Sequence, residues 1–376
     1  MTRQILTGAA IFDGVQILHD HTLVIEAGLI GAVVPASDAP DGPRLMLPAG
    51  TLAPGLIDLQ VNGGGGVMLD GAATVAQLTR ICAAHAKLGA TGILPTLITD
   101  TPEATAAVIA AGIAAAKANV AGFLGLHLEG PHLDPRRPGA HDPALIRPLQ
   151  AADLAQLLKA AANLPALMVT LAPAAATPDQ IAELTRAGIV VSLGHADCSY
   201  DQAMAAIDAG ARCATHLFNA MTQLGNREPG LVGAVLGGGI PAGLIADGLH
   251  VHPATLRIAL ACRAQGLFLV SDSMAVAGTD LTRFTLGGRE ILRHDGRLTL
   301  ADGTLAGADL SLPQAIAYLI RTLGIAPARA LAMASGIPAA VIGARAGELT
   351  RGRAANLVHF DENWKLAGVW QNGIRA

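Results

Sequence analysis

Eight short apolar runs divide the middle of the chain, and each has the length of a β-strand. They are Leu56–Asn62, Gly92–Leu97, Phe123–Glu129, Ala166–Ala172, Ile189–His195, Cys213–His216, Gly243–Asp247 and Leu267–Asp272. Alanine- and leucine-rich helical stretches follow several of them, and near-continuous apolar strands are typical of parallel sheets covered by helices. Eight such units predict an α/β fold, a (β/α)8 TIM-like barrel. An open doubly wound sheet is the alternative, but no G-x-G-x-x-G motif follows the first run.

Both ends of the chain show a different pattern, in which apolar and polar residues alternate over short runs. Such runs occur at Gly14–Leu18 and Thr22–Glu26 near the N-terminus, and at Ala355–Phe360 and Leu366–Trp370 near the C-terminus. Alternation is typical of β-strands with one buried face. We predict that residues 1–50 and 345–376 pair into one small β-sandwich domain. Residues 51–344 between them are then expected to form the barrel that holds the active site.

Composition excludes several classes of protein. Hydrophobic residues make up 52% of the chain and the mean hydropathy is +0.46, which raises the question of a membrane protein. The longest apolar tract, Ala104–Ala116, is too short to cross a bilayer, and the N-terminus has no sustained apolar signal core. A net charge of −4 with 3% aromatic residues argues against nucleic-acid binding. We therefore expect a cytoplasmic protein with no membrane contact and no nucleic-acid partner.

Most of the predicted strands end on a polar residue that can bind a metal ion or transfer a proton. These residues are Gln60, Asn62, Glu129, His195, His216, Asp247 and Asp272. The loops that follow the strands of a barrel converge at one rim, so side chains from successive strands can meet there. A single histidine at a strand end is usually structural. Two histidines and a carboxylate at one rim favour a metal site instead.

Glu129, His195 and His216 form a two-histidine, one-carboxylate set that leaves a fourth position for water, as in catalytic zinc sites. We expect one divalent ion with Zn²⁺ preferred, although Fe²⁺ or another divalent metal fits the same ligands. Such an ion brings the pKa of its bound water towards neutrality and polarises a carbonyl group. Asp272 is then the natural general base and acid. The alternative for Asp272 is a structural aspartate that caps a helix or a turn.

Several longer stretches are motifs rather than single residues. They are Pro54–Gly63, His127–Pro131, Leu193–His195, Thr215–Met221, Arg227–Gly230, Ala246–Val251, Ser271–Asp272 and Leu305–Gly307. In this order and combination they resemble the amidohydrolase superfamily, and within it the branch of amino-sugar phosphate deacetylases. The resemblance implies hydrolysis of N-acetyl-D-glucosamine 6-phosphate, a small-molecule substrate, to D-glucosamine 6-phosphate and acetate.

The resemblance also implies roles for individual residues. It gives the metal to Glu129, His195 and His216, the acid–base role to Asp272, and polarisation of the carbonyl to His141. The implied substrate contacts are Ala140, Asn219, Ala220, Arg227, Asp247, His250, and Leu305, Ala306 and Gly307 in a loop. In this family the arginine reaches across from a second subunit, so we expect a homodimer with Arg227 at the interface. A guanidinium presents paired donors to phosphate oxygens, which suits that role.

The sequence Gln60-Val61-Asn62 departs from much of the superfamily, in which a His-x-His pair after the first strand binds a second metal. Neutral amides are poor metal ligands, so we predict a single, tightly held ion. Two rival interpretations stay open. One is an amidohydrolase that acts on a cyclic amide or another N-acyl substrate. The other is a non-catalytic barrel that binds sugar phosphates, although no expected ligand is missing from the sequence.

Overall fold

The computed structural model describes residues 3–376, and its centre is a sheet of eight parallel strands. The strands are Leu56–Val61, Ala90–Ile98, Leu126–Glu129, Leu167–Leu171, Val190–Leu193, Cys213–Ala214, Ala242–Leu244 and Leu267–Leu269. Each pairs with its neighbours in the sequence. The first and last strands also meet, because Asp272 N–H donates to the Gln60 carbonyl at 3.1 Å and Asn62 N–H to the Ser273 carbonyl at 2.9 Å. The predicted barrel is confirmed. The doubly wound alternative is wrong, since the strand order never reverses.

Helices surround the barrel and cap its core. The α-helices are Val75–Lys87, Pro102–Lys117, Ala151–Ala161, Pro178–Arg186, Tyr200–Asp208, Gly230–Leu236, Pro253–Cys262, Leu312–Arg321, Pro327–Met333 and Gly336–Val341, and short 3₁₀ turns lie at Ala36–Asp38, Pro143–Leu145 and Pro173–Ala175. Three helices begin where the side-chain oxygens of Thr101, Thr177 and Ser199 accept hydrogen bonds from backbone N–H groups. Within residues 3–376, no helix is both long and apolar enough to span a bilayer.

Strands from the two ends of the chain pair with each other next to the barrel. One sheet has four strands, in the spatial order Leu29–Pro35, His21–Glu26, Arg3–Thr7 and Arg44–Met46, and the other has six, Ile374–Arg375, Leu366–Gln371, Leu357–Phe360, Thr51–Pro54, Ala10–Phe12 and Ile17–Leu18. Leu6 and Leu23 of the first sheet share one buried core with Leu357 and Trp370 of the second. The predicted β-unit built from both ends is confirmed, and the boundaries at residues 50 and 345 stay a prediction.

An antiparallel meander follows the eighth barrel strand and was not predicted. Its strands are Arg283–Leu286, Arg289–His294, Arg297–Thr299 and Leu305–Ala308. Gly287-Gly288 and Asp295-Gly296 form two of the turns, and all four of these residues have positive φ, as tight hairpins require. Leu305–Gly307, predicted as a loop, is part of the last strand, because its backbone pairs with Arg297–Thr299.

The meander has a small core of its own that attaches it to the mouth of the barrel. Leu286, Ile291, Leu298 and Ala306 pack together with Met274, which follows the eighth barrel strand. Ile98 and Ala140, at the ends of other barrel segments, pack against the same cluster. The meander therefore forms a wall over the carboxyl-terminal rim of the barrel, where the predicted site residues lie. A two-stranded hairpin, Gly63–Gly64 with Val67–Met68, follows the first barrel strand at the same rim.

Candidate metal centre and substrate pocket

Four of the predicted functional residues lie at or just past the ends of barrel strands, where the backbone turns sharply. His195, His216 and Asp272 have φ of +46°, +24° and +49°, and Gly130, directly after Glu129, has +88°. Left-handed backbone costs about 1 kcal/mol or more for a residue with a side chain. The three non-glycine residues keep this conformation because it turns their side chains towards a common point above the barrel.

The ligand atoms of Glu129, His195 and His216 converge in a buried cluster. Glu129 Oε1 is 3.0 Å from His216 Nε2 and 3.3 Å from His195 Nε2, and the two nitrogens are 3.1 Å apart. Atoms that bind a common ion at about 2.0–2.2 Å in tetrahedral geometry lie roughly 3–3.5 Å from one another. Two imidazole lone pairs this close repel unless a cation or a proton lies between them. The donor set therefore fits a divalent metal ion.

His141 is a fourth residue at this cluster and brings a third imidazole to it. Its Nε2 is 3.8 Å from Glu129 Oε2, and Glu129, His141 and His195 also offer ligand atoms that lie within 4.8 Å of one another. Distance alone therefore allows His141 as a ligand. His216 is the better candidate for the third ligand, because its Nε2 is closer to Glu129 and faces the same oxygen, Oε1, as His195 Nε2 does.

Electrostatics favour a charged carboxylate in this cluster. Burial by itself raises the pKa of Glu129, which is 2% exposed, but its close contacts with His195 and His216 outweigh burial and hold the pKa well below its usual value. Burial alone would lower the pKa of His216, because it disfavours the charged imidazolium. The contact with Glu129 more than reverses that effect, so the pKa of His216 is raised. The site thus attracts positive charge between these three side chains.

The two histidines among the metal-ligand candidates differ in the contacts of Nδ1, the ring nitrogen that points away from the cluster. His195 Nδ1–H donates to the Arg137 carbonyl at 2.9 Å, which leaves the Nε2 lone pair free for a metal ion. His216 Nδ1 is buried and finds no hydrogen-bond partner among residues 3–376. Protein contacts therefore fix the tautomer of one histidine and not of the other.

Gln60 and Asn62 hold the two carboxylates of the site. Gln60 Nε2 donates to Glu129 Oε1 at 2.9 Å, and Asn62 Nδ2 donates to Asp272 Oδ1 at 2.7 Å. Both amides are almost fully buried. The amide pair of the Gln-x-Asn sequence thus acts as a pair of hydrogen-bond donors, one for each acidic residue, in the place where a second metal would need ligands.

Asp272 lies where a proton acceptor is useful. Burial and the nearby charge of Glu129 raise its pKa to about 6, while the hydrogen bond from Asn62 acts in the opposite direction. A carboxyl group with a pKa near neutrality can both accept and return a proton at physiological pH. The helix-capping alternative for Asp272 receives no support, since its carboxylate accepts from Asn62 across the barrel.

Thr99 determines which nitrogen of His141 faces the cluster as a donor. The Thr99 backbone N–H donates to His141 Nδ1 at 3.2 Å, and the Thr99 hydroxyl lies 2.7 Å from the same atom. Burial and the neighbouring His195 lower the pKa of His141 to about 3, so the ring is neutral at pH 7. Because Nδ1 is an acceptor, the single ring hydrogen lies on Nε2, which faces Glu129. His141 therefore presents an N–H donor to the site.

A cavity of about 270 Å³ opens above these residues. Its walls contain both the acid–base candidate and the metal-ligand candidates, Asp272, His141, Glu129, His195 and His216. Of the residues expected to bind substrate, Ala140, Asn219, Ala220, His250, Leu305 and Gly307 line the same cavity. The sequence-based set is therefore largely brought together in one place, from segments almost 180 residues apart.

Three expected substrate residues lie elsewhere. Asp247 stands behind His250, whose Nδ1–H donates to its carboxylate at 2.6 Å, so it orients the imidazole rather than lining the cavity. Ala306 is fully buried in the core of the meander. Arg227 is exposed on the loop before helix Gly230–Leu236 and does not line the cavity of this chain.

Several cavity residues were not anticipated from the sequence. They are Ile98, Gly139, Ile245, Met274, Leu286 and Thr304. Leu286 and Thr304 belong to the meander, and the dipeptides Gly287-Gly288 and Asp295-Gly296 were readable hairpin signals for it. Ile98 is the last residue of the second barrel strand and Met274 follows the eighth, and no chemical signal in the sequence separates these apolar residues from core residues.

A buried two-histidine, one-carboxylate cluster, a neighbouring aspartate and a cavity at the carboxyl rim of a barrel together define a metal-dependent hydrolase. Comparison with known proteins agrees with this class. Residues 51–375 match the amidohydrolase family, and residues 5–44 match the NagA composite domain. The chain belongs to the amidohydrolase family.

Individual relatives narrow the likeness to one branch of that family. N-acetylgalactosamine-6-phosphate deacetylase of Shewanella sp. (strain ANA-3) is 38% identical over 89% of this chain and 85% of its own length. N-acetylglucosamine-6-phosphate deacetylase of Haemophilus influenzae is 34% identical over 98% of both chains. The crystal structure of N-acetylglucosamine-6-phosphate deacetylase from Pasteurella multocida has a TM-score of 0.95 at 32% identity and covers 100% of this chain and 99% of that one. The resemblance to the amino-sugar phosphate deacetylases is confirmed.

Proposed function

We propose that this enzyme hydrolyses the amide of N-acetyl-D-glucosamine 6-phosphate to give D-glucosamine 6-phosphate and acetate. The observation that carries the proposal is the convergence of Glu129, His195 and His216 beside Asp272 in one cavity. The deacetylases of both hexosamine phosphates are relatives over most of the chain. A solved structure of a mutant from Mycobacterium smegmatis in complex with N-acetyl-D-glucosamine-6-phosphate, with a TM-score of 0.93 at 31% identity over 100% of this chain, has the same fold.

In this proposal Glu129, His195 and His216 hold one divalent ion, with Zn²⁺ as the preferred metal. The ion supplies Lewis acidity, which acidifies a water molecule and polarises a carbonyl oxygen. Two observations support a single ion. First, the side-chain amides of Gln60 and Asn62 donate hydrogen bonds to Glu129 and Asp272. Second, neither side chain offers a charged ligand atom for a second metal.

Asp272 accepts the proton of the attacking water and returns it to the amine as the C–N bond breaks, so one carboxyl group serves both halves of the hydrolysis. Its pKa, raised to about 6 by burial and by Glu129, suits both steps. His141 donates a hydrogen bond from its Nε2–H to the carbonyl oxygen as negative charge develops there. The neutral ring, held by Thr99, is ready to donate without first gaining a proton.

His250 and Arg227 are proposed to bind the phosphate group, with Asn219 and Ala220 along the sugar. Asp247 fixes the orientation of the His250 ring towards the proposed phosphate position through the 2.6 Å hydrogen bond. Arg227 is exposed, forms no ion pair with residues 3–376, and neighbours Leu224, which is 59% exposed. In a homodimer in which this loop reaches the cavity of the partner subunit, Arg227 would contact the phosphate group of the substrate bound there.

The test is acetate release from N-acetyl-D-glucosamine 6-phosphate, measured on the full chain together with its metal content. The enzyme as purified should be active, a chelator should abolish activity, and added Zn²⁺ should restore it. Arg227→Ala should raise KM for the phosphorylated sugar and leave the weaker reaction with free N-acetylglucosamine unchanged. A protein that binds no divalent metal and releases no acetate would favour the non-catalytic barrel.

The C4 epimer, N-acetyl-D-galactosamine 6-phosphate, is a second candidate substrate, because the relative at 38% identity is named for it. The two sugars share the amide and the phosphate that the site is proposed to recognise, and they differ in the orientation of one hydroxyl group. Comparison of kcat/KM for the two epimers on the same preparation separates them. A ratio above about 10, which corresponds to one well-placed hydrogen bond, would identify the preferred sugar.

A further inference from the structure

The segment between the third barrel strand and the 3₁₀ turn Pro143–Leu145 carries two groups of the site and contains no helix or strand. Its Arg137 carbonyl accepts the hydrogen bond from His195, and His141 follows four residues later. The Arg137 N–H donates to the Asp134 carbonyl at 2.9 Å, and this turn joins the side-chain contacts of Arg137 in holding its carbonyl in place. The contacts of Arg137 therefore bear on the orientation of a metal ligand.

Asp197 provides those contacts. Its Oδ1 accepts from Arg137 Nε at 3.0 Å and lies 2.9 Å from Arg137 Nη2, while its Oδ2 lies 2.9 Å from Arg136 Nη1. Asp197 is two residues beyond His195 in the chain. The contacts thus close a ring, from the His195 imidazole to the Arg137 carbonyl, through the Arg137 guanidinium to Asp197, and back to His195 along the backbone.

Neighbouring contacts strengthen this ring on one side. The Asp197 N–H donates to buried Asp134 Oδ2 at 3.3 Å, and Asp134 N–H donates to the His195 carbonyl at 2.9 Å. His216 has no comparable support, since its Nδ1 finds no partner in the described part of the chain. A hydrogen bond to the ring nitrogen that does not bind the metal fixes the orientation of a metal-binding histidine before the ion binds.

We propose that Asp197 is a positioning residue for the metal ligand His195, and that it acts through Arg137 to set the affinity of the site for its divalent ion. The inference rests on the proposed metal site and adds a residue to it that touches neither metal nor substrate. Asp197 is partly exposed, so the restraint is of moderate strength, and the carbonyl itself remains when the ion pair is lost.

The test is a titration of the chelator-stripped full chain with Zn²⁺ alone, against a competing indicator. We expect Asp197→Asn and Arg137→Met each to raise the Kd by about 3- to 10-fold. If Asp197 acts through Arg137, the two effects should not add. The Kd of the double variant for Zn²⁺ should then be at most about twice the higher of the two single-variant Kd values. The same variants should recover most of the wild-type kcat at saturating Zn²⁺.

Asp153→Asn is the matched control, because Asp153 forms a paired contact of the same type with Arg147 and has no link to His195. It should lower the unfolding temperature of the metal-free protein about as much as Asp197→Asn does, without a change in Kd. A Kd for Asp197→Asn within about 1.5-fold of wild type, an equal rise in the control, or additive effects in the double variant would overturn the inference. If wild type itself binds no Zn²⁺, the proposed function fails instead.

Discussion

Replacement of Asn62 by alanine should move the pH dependence of catalysis and leave the metal in place. Asn62 Nδ2 donates to Asp272 Oδ1 at 2.7 Å in a buried setting, and this contact stabilises the charged form of Asp272. It works against burial and Glu129, which together raise the pKa of Asp272 to about 6. Removal of the donor takes away one of the contacts that lower this pKa and leaves His216 and His250 to oppose burial and Glu129, so the pKa must rise further.

The size of the shift follows from the worth of one charge-assisted hydrogen bond. Such a bond contributes about 1.5–3 kcal/mol, and one pKa unit corresponds to about 1.4 kcal/mol, which gives a rise of about 1–2 units. A water molecule that enters the space of the amide replaces part of the bond, so we expect about one unit. A protonated carboxyl group cannot accept a proton, so activity is lost below its pKa, and the acid limb of the profile moves to higher pH.

The assay is kcat/KM for acetate release across pH 4.5–9, a range that brackets the pKa of Asp272 on both sides. Gln60→Ala is the matched control, since it removes an equivalent buried donor from Glu129 instead of Asp272. The control should weaken metal binding and leave the acid limb where it is in wild type. A uniform loss of activity at every pH in Asn62→Ala, with the limb within about 0.3 units of wild type, would refute the role of the amide.

Three further predictions follow from the same contacts. Glu129→Gln removes the charge that faces both ligand histidines, so metal affinity should fall by more than ~100-fold, as equilibrium dialysis can measure. Asp272→Asn should lower kcat by ~10²-fold or more with metal content unchanged, and near-normal turnover would contradict its acid–base role. Arg289 of the meander donates to the Ala140 carbonyl, next to His141. Arg289→Ala should therefore lower kcat/KM by about 10-fold without metal loss, and an unchanged value would show that the meander wall does not position His141.

Glu129, His195, His216 and Asp272 could be found from the sequence because parallel strands share a direction. Every strand of a barrel delivers its last residue to the same rim, so a polar residue after each apolar run predicts a common site without any knowledge of distances. The strands at both chain ends could also be found from the sequence, since alternation marks a half-buried strand wherever it occurs. The meander carried equally clear turn signals in Gly287-Gly288 and Asp295-Gly296.

What the sequence determined by itself is therefore the direction of each element and the chemistry at its end. Only the tertiary structure decided which side chains meet across the barrel. Gln60 reaches Glu129, Asn62 reaches Asp272, and Thr99 selects the donor nitrogen of His141. These contacts join residues separated by 69, 210 and 42 positions. Periodicity specifies which face of its own strand a residue occupies, whereas distances between strands depend on how the whole barrel closes.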